Sequence, residues 1–323
     1  MRLIREAKCL SRVGIDNPES AKIILLQEEK FKQYKNELEY MLKERDRIIS
    51  KIKLITQNLL KPHVDDLQMK LKPGMITLTW TSMNIDSFLT QVHSGLQKLE
   101  QLIINVNDII ENRIESNLKS IRKVLLVSLP EESKTFSLDQ FVMLQEDYIK
   151  SKTEFLMSKN LEIERAVDDL LQTILVYPLD PEVDPPQPED VKHVKRFYFW
   201  FLYQVLLHCT QKSLDAMKYR VCGKRGQGNQ ASLKPFFEVN VHLNGNQVLI
   251  NPSLDEIQKA INRAATAVLS CSKKLYNWDS GDSDKKDREN FYDMIAQDKE
   301  IVKVILLLTG SIGNPIAFLL EVG

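Results

Sequence analysis

The stretch from Asn84 to Ile121, NIDSFLTQVHSGLQKLEQLIINVNDIIENRIESNLKSI, determines the fold class of this chain. Short polar residues at Asn84 and Asp86 can cap the free amides at the start of a helix. Apolar residues then recur every three or four positions, which places them on one face of an α-helix. The sequence therefore predicts one long helix with a buried face. The apolar positions are Ile85, Leu89, Val92, Leu96, Leu99, Ile103, Val106 and Ile110, followed after a drift by Ile114, Leu118 and Ile121.

A second helical pattern precedes this one and runs from Asn17-Pro18 to about Leu60. A capping side chain followed by a proline is typical of a helix start. Two series of positions at intervals of seven are apolar at nine of eleven sites, which indicates the seam of a coiled coil or a long bundle. Phe31 and Tyr34 are bulky for a two-stranded seam, so we expect a multi-helix bundle. The two series are Ile24, Phe31, Leu38, Arg45, Ile52 and Leu59, and Gln27, Tyr34, Met41, Ile48 and Ile55.

The segment between these two helices, from Lys61-Pro62 to Met83, is predicted to break the helical pattern. Pro73-Gly74 is a turn signal, and the following MITLTWTSM is short and rich in β-formers. A third helix is predicted from a capping box at Ser137 and Gln140 to about Leu175. Helices of roughly 40 residues are about 60 Å long, so we expect elongated bundles.

The composition changes at Tyr177. The stretch 177–190, YPLDPEVDPPQPED, contains five prolines and several acidic residues. Such a segment is typically extended, so it is predicted to be a linker and the domain boundary. An aromatic helix follows from Val191 to about Arg220. Because this helix is apolar on most sides, we expect it to be buried.

The next predicted element is a β-hairpin near 236–250. Apolar side chains alternate from Phe237 to Leu243, and Asn244-Gly245 is a typical hairpin turn. A capping box from Ser253 to Glu256 then opens a helix that is predicted to end near Leu275.

A last helix is predicted from about Asp287 to Leu308. The predicted fold is therefore mainly α, with elongated bundles of long helices and one short β-hairpin. We expect a long-helix bundle at 1–176, a proline-rich acidic linker at 177–190, a second helical bundle with the hairpin at 191–312, and a separate end segment at 313–323.

Composition and charge exclude several classes of protein. Lys and Arg together number 44, as do Asp and Glu, so the formal net charge is zero, whereas a nucleic-acid binder carries a basic excess. The four cysteines are far apart, no usable glycosylation sequon occurs, and the N-terminus lacks the apolar core of a signal peptide. These features indicate a reducing, intracellular compartment and no nucleic-acid partner.

Two apolar stretches are too short or too interrupted to cross a membrane. Phe197 to Cys209 is shorter than the about 20 residues that a bilayer requires. Val304 to Leu320 contains Gly310, Gly313 and Pro315. We expect buried helices at both places and no membrane partner.

No residue pattern predicts a catalytic, cofactor-binding or metal-binding site. The glycine-rich run 223–228, GKRGQG, lacks the spacing of a phosphate-binding loop. The carboxylate pairs Asp65-Asp66 and Asp168-Asp169 are expected on helix surfaces, and His208 and Cys209 point in different directions on a helix. The sequence therefore predicts a protein that is not an enzyme. The histidines, which lack metal-binding spacing, are His63, His93, His193, His208 and His242, and the tryptophans, expected to be packing residues, are Trp80, Trp200 and Trp278.

Particular segments carry a family resemblance. They include REAKCL at 5–10, KPGMITLTWTSMNID at 72–86, NDIIENRIESNLKSI at 107–121, ERAVDDLL at 164–171, NPSLDEIQKAIN at 251–262 and FYDMIAQDKEIVKVILLLTGSI at 291–312. Together they resemble the N-terminal tail, or stem, of dynein heavy chains of the axonemal outer-arm type. The resemblance runs from about Arg5 to Ile312. The final stretch, GNPIAFLLEVG at 313–323, departs from it, so we expect a truncated fragment with an aberrant end.

The resemblance implies a function without chemistry of its own. In that family the region is part of a helical stem, lacks the ATPase modules, and contacts intermediate chains, light chains, light-intermediate chains and other heavy chains. It implies no catalytic residue, no metal and no cofactor, and a location in the cytoplasm and cytoskeleton, at the axoneme of a cilium or flagellum. Two alternatives stay open from the sequence: a generic coiled-coil adaptor, and a peripheral membrane-associated helical protein.

Overall fold

The structure is a computed structural model that describes residues 2–76, 84–129, 136–222, 239–245, 247–275, 278 and 291–310. Helices dominate these ranges and two short strands form an antiparallel hairpin, so the predicted mainly-α class is confirmed. The chain divides into two compact units. Unit 1 comprises Met1–Asp108 and Leu170–Val191, and unit 2 comprises Ile109–Asp169 and Lys192–Gly323. The sequence-based division at 177–190 stays a prediction.

The described part of unit 1 is a set of packed helices. Helix α1 packs on α2, and both α2 and α3 pack on α4. The sequence pattern predicts α2 and α4 but neither α1 nor α3. The elements are α1 (Arg2–Arg12), α2 (Glu19–Ser50), a 3-10 turn (Leu54–Thr56), α3 (Gln57–Ile76), α4 (Ile85–Asp108) and the last residues of α6 (Leu138–Leu175).

The core of unit 1 lies where α2 and α3 face α4. Tyr34, Met41 and Ile48, three seam positions separated by seven residues, are buried. Helix α4 buries the predicted stripe from Ile85 to Val106. The Tyr34 hydroxyl also donates a hydrogen bond to the Asp86 carboxylate at 2.7 Å. Apolar spacing therefore identified the faces that pack.

The break between the first two predicted helices lies earlier than predicted. Helix α2 ends at Ser50, and α3 continues through Pro62 and Pro73, so the predicted helix end near Leu60 and the predicted turn at Pro73-Gly74 are wrong. Each proline removes one intrahelical hydrogen bond, but burial of apolar side chains offsets that loss. The buried apolar side chains of α3 are Leu59, Leu60, Leu67 and Leu71.

Gly74 lies inside α3 for a packing reason. The aromatic ring of Phe88 on α4 occupies the space that a Cβ at position 74 would need. The glycine therefore permits a close approach of two helices. The remainder of the predicted β-rich segment, 77–83, falls outside the described residues.

A π-helical segment, Ile109–Glu115, follows α4 directly and leads into α5, Ser116–Lys123. Hydrogen bonds in a π-helix run from residue i to i+5, so each turn takes more residues than an α-helical turn. The apolar spacing changes accordingly: alternating intervals of three and four give way to intervals of four at Ile110, Ile114 and Leu118. All three side chains are buried. The change in apolar spacing along the predicted stripe therefore reflects the π-helix.

Unit 2 contains most of α6, followed by α7 (Pro188–Cys222), α8 (Leu254–Ser270), α9 (Phe291–Ala296) and α10 (Lys299–Gly310). Both predicted capping boxes are confirmed. The Gln140 amide donates to Ser137 Oγ at 3.3 Å, and the Ser137 amide donates to Gln140 Oε1 at 3.2 Å. Ser253 and Glu256 form the same reciprocal pair at 2.8 and 3.3 Å.

Two helix ends and one continuous helix differ from the predictions. Helix α7 begins at Pro188 instead of Val191, where a proline suits the first helical turn. Helix α8 ends at Ser270 instead of Leu275, because residues 271–274 form turns. The predicted last helix is divided into α9 and α10, and its start at Asp287 falls outside the described residues.

The predicted hairpin is confirmed as β1 (Asn240–Asn244) and β2 (Gln247–Asn251). Asn244 pairs with Gln247, so the turn begins at Gly245, one residue later than predicted. Gly245 has a φ of +63°, which glycine adopts at low cost. The apolar side chains of both strands are largely exposed; Leu243, for example, is 79% exposed.

Candidate functional site

The residues that could carry chemistry have structural partners. His63 is buried in unit 1, and its Nε2 lies 3.2 Å from the carbonyl oxygen of Ile174. Its ring also meets the Tyr177 ring edge-on at a centroid distance of 5.6 Å. The Tyr177 hydroxyl in turn donates to the carbonyl of Lys98 at 3.0 Å. Burial lowers the pKa of His63 below its ordinary value of 6.5. His63 therefore joins α3 to the end of α6 as a neutral side chain.

His208 and Cys209 point apart on α7, as predicted. His208 is exposed, whereas Cys209 is fully buried and donates a weak hydrogen bond from Sγ to the carbonyl of Val124 at 3.2 Å. Burial raises the pKa of Cys209 to about 12, and burial also raises the pKa of Cys271. A nucleophilic cysteine requires a thiolate, so both thiols are packing groups.

Three of the four carboxylates in the two predicted pairs form ion pairs. Asp66 lies 2.6 Å from Lys70 on the same helix. Asp168 lies 2.9 Å from Lys195, and Asp169 lies 2.6 Å from Arg113. Each of these three carboxylates therefore links two turns of one helix or two different helical segments.

The remaining residues considered for chemistry are distributed over the fold. His93 lies on α4, His193 on α7 and His242 on β1, and all three are exposed. Trp278 donates from Nε1 to Asn160 Oδ1 at 2.9 Å, which confirms its packing role. In the ranges that the structure describes, no three His, Cys, Asp or Glu side chains lie close enough together to hold a metal ion. The glycine-rich run 223–228, Trp80 and the end segment 313–323 fall outside those ranges.

Helix α7 presents a feature that the sequence reading missed. It was predicted to be buried on most sides, yet Phe197, Trp200 and Phe201 are 44%, 47% and 42% exposed. That prediction, and the expectation that Trp200 is a packing residue, are corrected here. Positions separated by three and four lie on one side of a helix, so the three rings form one surface, which we call the aromatic face.

The opposite side of α7 is firmly packed. Phe199 stacks on Phe291 of α9 with a centroid distance of 5.0 Å and meets Trp278 edge-on at 6.4 Å. Ser213 accepts a hydrogen bond from the backbone amide of Leu126 at 2.8 Å. Because the helix is held on this side, the aromatic face has a defined backbone position.

The aromatic rings of the face contact one another and a buried neighbour. Phe197 and Phe201 lie 6.2 Å apart, and Trp200 meets the buried ring of Tyr203 edge-on at 5.5 Å. Such contacts restrict side-chain motion before any partner binds. The face is therefore partly ordered in advance.

The charge along α7 is mixed, with the exposed acids Glu189 and Asp215 at the two ends of the aromatic segment and three exposed cations between them. No acidic residue occurs between Asp190 and Asp215 in the sequence, whereas Lys192, Arg196 and Lys212 do. These three cations are exposed, and none of them has an ion-pair partner among the described residues. Lys195, by contrast, is paired with Asp168.

One signal in the sequence could have revealed this face. His193, Arg196, Gln204 and His208 share the helical side of the three rings. Polar residues at those intervals mark the solvent side of a helix. The density of aromatic residues in FYFWF conceals that periodicity.

None of the helices in the described ranges combines the length and the hydropathy needed to cross a membrane. The two apolar stretches that raised the question lie on α7 and, up to Gly310, on α10.

Comparison with known proteins identifies dynein chains as relatives. Residues 1–88 match the family described as "Dynein heavy chain, N-terminal region 1". The chain is 38% identical over 312 residues to the dynein gamma chain of the flagellar outer arm of Chlamydomonas reinhardtii. The aligned region covers 97% of this chain and 7% of that relative. It is 29% identical to dynein axonemal heavy chain 8 of Mus musculus, over 97% of this chain and 8% of the relative.

A third relative belongs to a different type of arm. The Dynein-1-alpha heavy chain of the flagellar inner arm I1 complex of Chlamydomonas reinhardtii is 27% identical, over 98% of this chain and 7% of its own length. The chain thus spans less than a tenth of the length of these three relatives.

Proposed function

Because this chain belongs to the dynein heavy-chain family, we propose that it is a non-catalytic segment of the heavy-chain tail, or stem. Its role is to scaffold the assembly of an axonemal dynein by binding intermediate chains, light chains, light-intermediate chains and other heavy chains. The observation that carries this proposal is the 38% identity to a flagellar outer-arm heavy chain across 97% of the sequence.

The relatives support a location at the axoneme. Their names refer to the flagellar outer arm, the flagellar inner arm and axonemal heavy chains. The proposed site of action is therefore the cytoskeleton of a cilium or flagellum.

The side-chain chemistry supports a scaffold rather than a catalyst. A buried thiol with a raised pKa, such as Cys209, is a poor nucleophile. The carboxylates of Asp66, Asp168 and Asp169 are held by cations, and His63 is used to join helices. By contrast, the aromatic face of α7 is exposed, and exposed clusters of apolar side chains are typical of protein interaction sites.

The proposal is tested by capture of dynein subunits. The tagged chain is immobilised and incubated with a salt extract of axonemal dynein, and bound proteins are quantified by mass spectrometry. We expect intermediate chains, light chains or other heavy chains to be enriched over a tag-only control. Recovery of chaperones without any dynein subunit would contradict the scaffold role.

The non-catalytic part of the proposal has its own measurement. The purified chain is incubated with ATP and Mg²⁺, and phosphate release is followed. We expect no release above that of buffer, because phosphoryl transfer requires a phosphate-binding loop and positioned metal ligands. Hydrolysis that follows the chain through gel filtration would contradict this part.

A further inference from the structure

We draw no further inference here: the strongest candidate, the aromatic face that Phe197, Trp200 and Phe201 form on α7, carries nothing because the charges along that helix are mixed and nothing in the structure shows what covers it.

Discussion

His63 illustrates how a single buried side chain can make the stability of unit 1 depend on pH. The ring extends from α3 to Ile174 at the end of α6, and burial is the main cause of its lowered pKa. Two weaker effects oppose burial: the hydrogen bond to the Ile174 carbonyl and the nearby carboxylate of Asp66. Since Nε2 faces a carbonyl oxygen at 3.2 Å, it must carry the proton and donate it.

The predicted consequence is a loss of stability in mild acid. Above the ordinary pKa of 6.5, His63 is neutral in the folded and the unfolded chain, and the full stability is present. As the pH falls below that value, the unfolded chain binds a proton before the folded chain does, so stability decreases until the lowered folded pKa is reached. We expect the melting temperature to fall over this range and His63→Gln, which keeps a donor but does not titrate, to reduce the fall.

The control for this prediction is His93→Gln on α4, where the ring is exposed and contacts Gln97 at 3.0 Å. This variant should retain the pH dependence of the wild type. An identical pH dependence in wild type, His63→Gln and His93→Gln would show that His63 is not the responsible group.

At the scale of single elements, Asp298 explains why the last predicted helix is two helices. Its Oδ1 accepts hydrogen bonds from the amides of Glu300 at 3.0 Å and Ile301 at 3.3 Å. It thereby caps the start of α10 just after α9 has ended at Ala296. We expect Asp298→Ala to lower the free energy of unfolding by about 1 kcal/mol, as measured by urea denaturation.

Asp298→Asn is the matched variant, because asparagine is an equally good capping residue. It should remain close to the wild type in the same denaturation experiment. Equal stability of the alanine and asparagine variants would mean that the cap does not set the start of α10.

The elements also show how far sequence reasoning reaches. The stripe of α4, both capping boxes and the hairpin were predictable because each depends on contacts between residues close in sequence. The course of α3 through Pro62 and Pro73 was not, since distant packing overrides a local breaker there. The aromatic face of α7 was missed for the related reason that an apolar residue is assumed to be buried.

At the scale of the whole molecule, the charge and the exposed apolar surface act together. The formal net charge is zero and the isoelectric point is about 7.0, so no long-range repulsion keeps copies of the chain apart at neutral pH. Whether copies of the chain associate then depends on the exposed apolar side chains. They include the three rings of the aromatic face and the hairpin residues Val241, Leu243, Val248 and Leu249. The features proposed to serve assembly therefore also favour self-association when partners are absent.

This reasoning predicts that the isolated chain self-associates most strongly near neutral pH. Raising the pH to about 9 gives the chain a net negative charge, and repulsion between copies should then reduce the apparent mass in light scattering. At neutral pH, the double variant Trp200→Gln, Phe201→Gln should lower the apparent mass by removing apolar surface. Tyr40→Gln, which alters an exposed ring of unit 1 outside the aromatic face, is the control and should have little effect. A monodisperse wild-type monomer at neutral pH would contradict the prediction, because it would mean that the exposed apolar surface is too dispersed to hold two copies together.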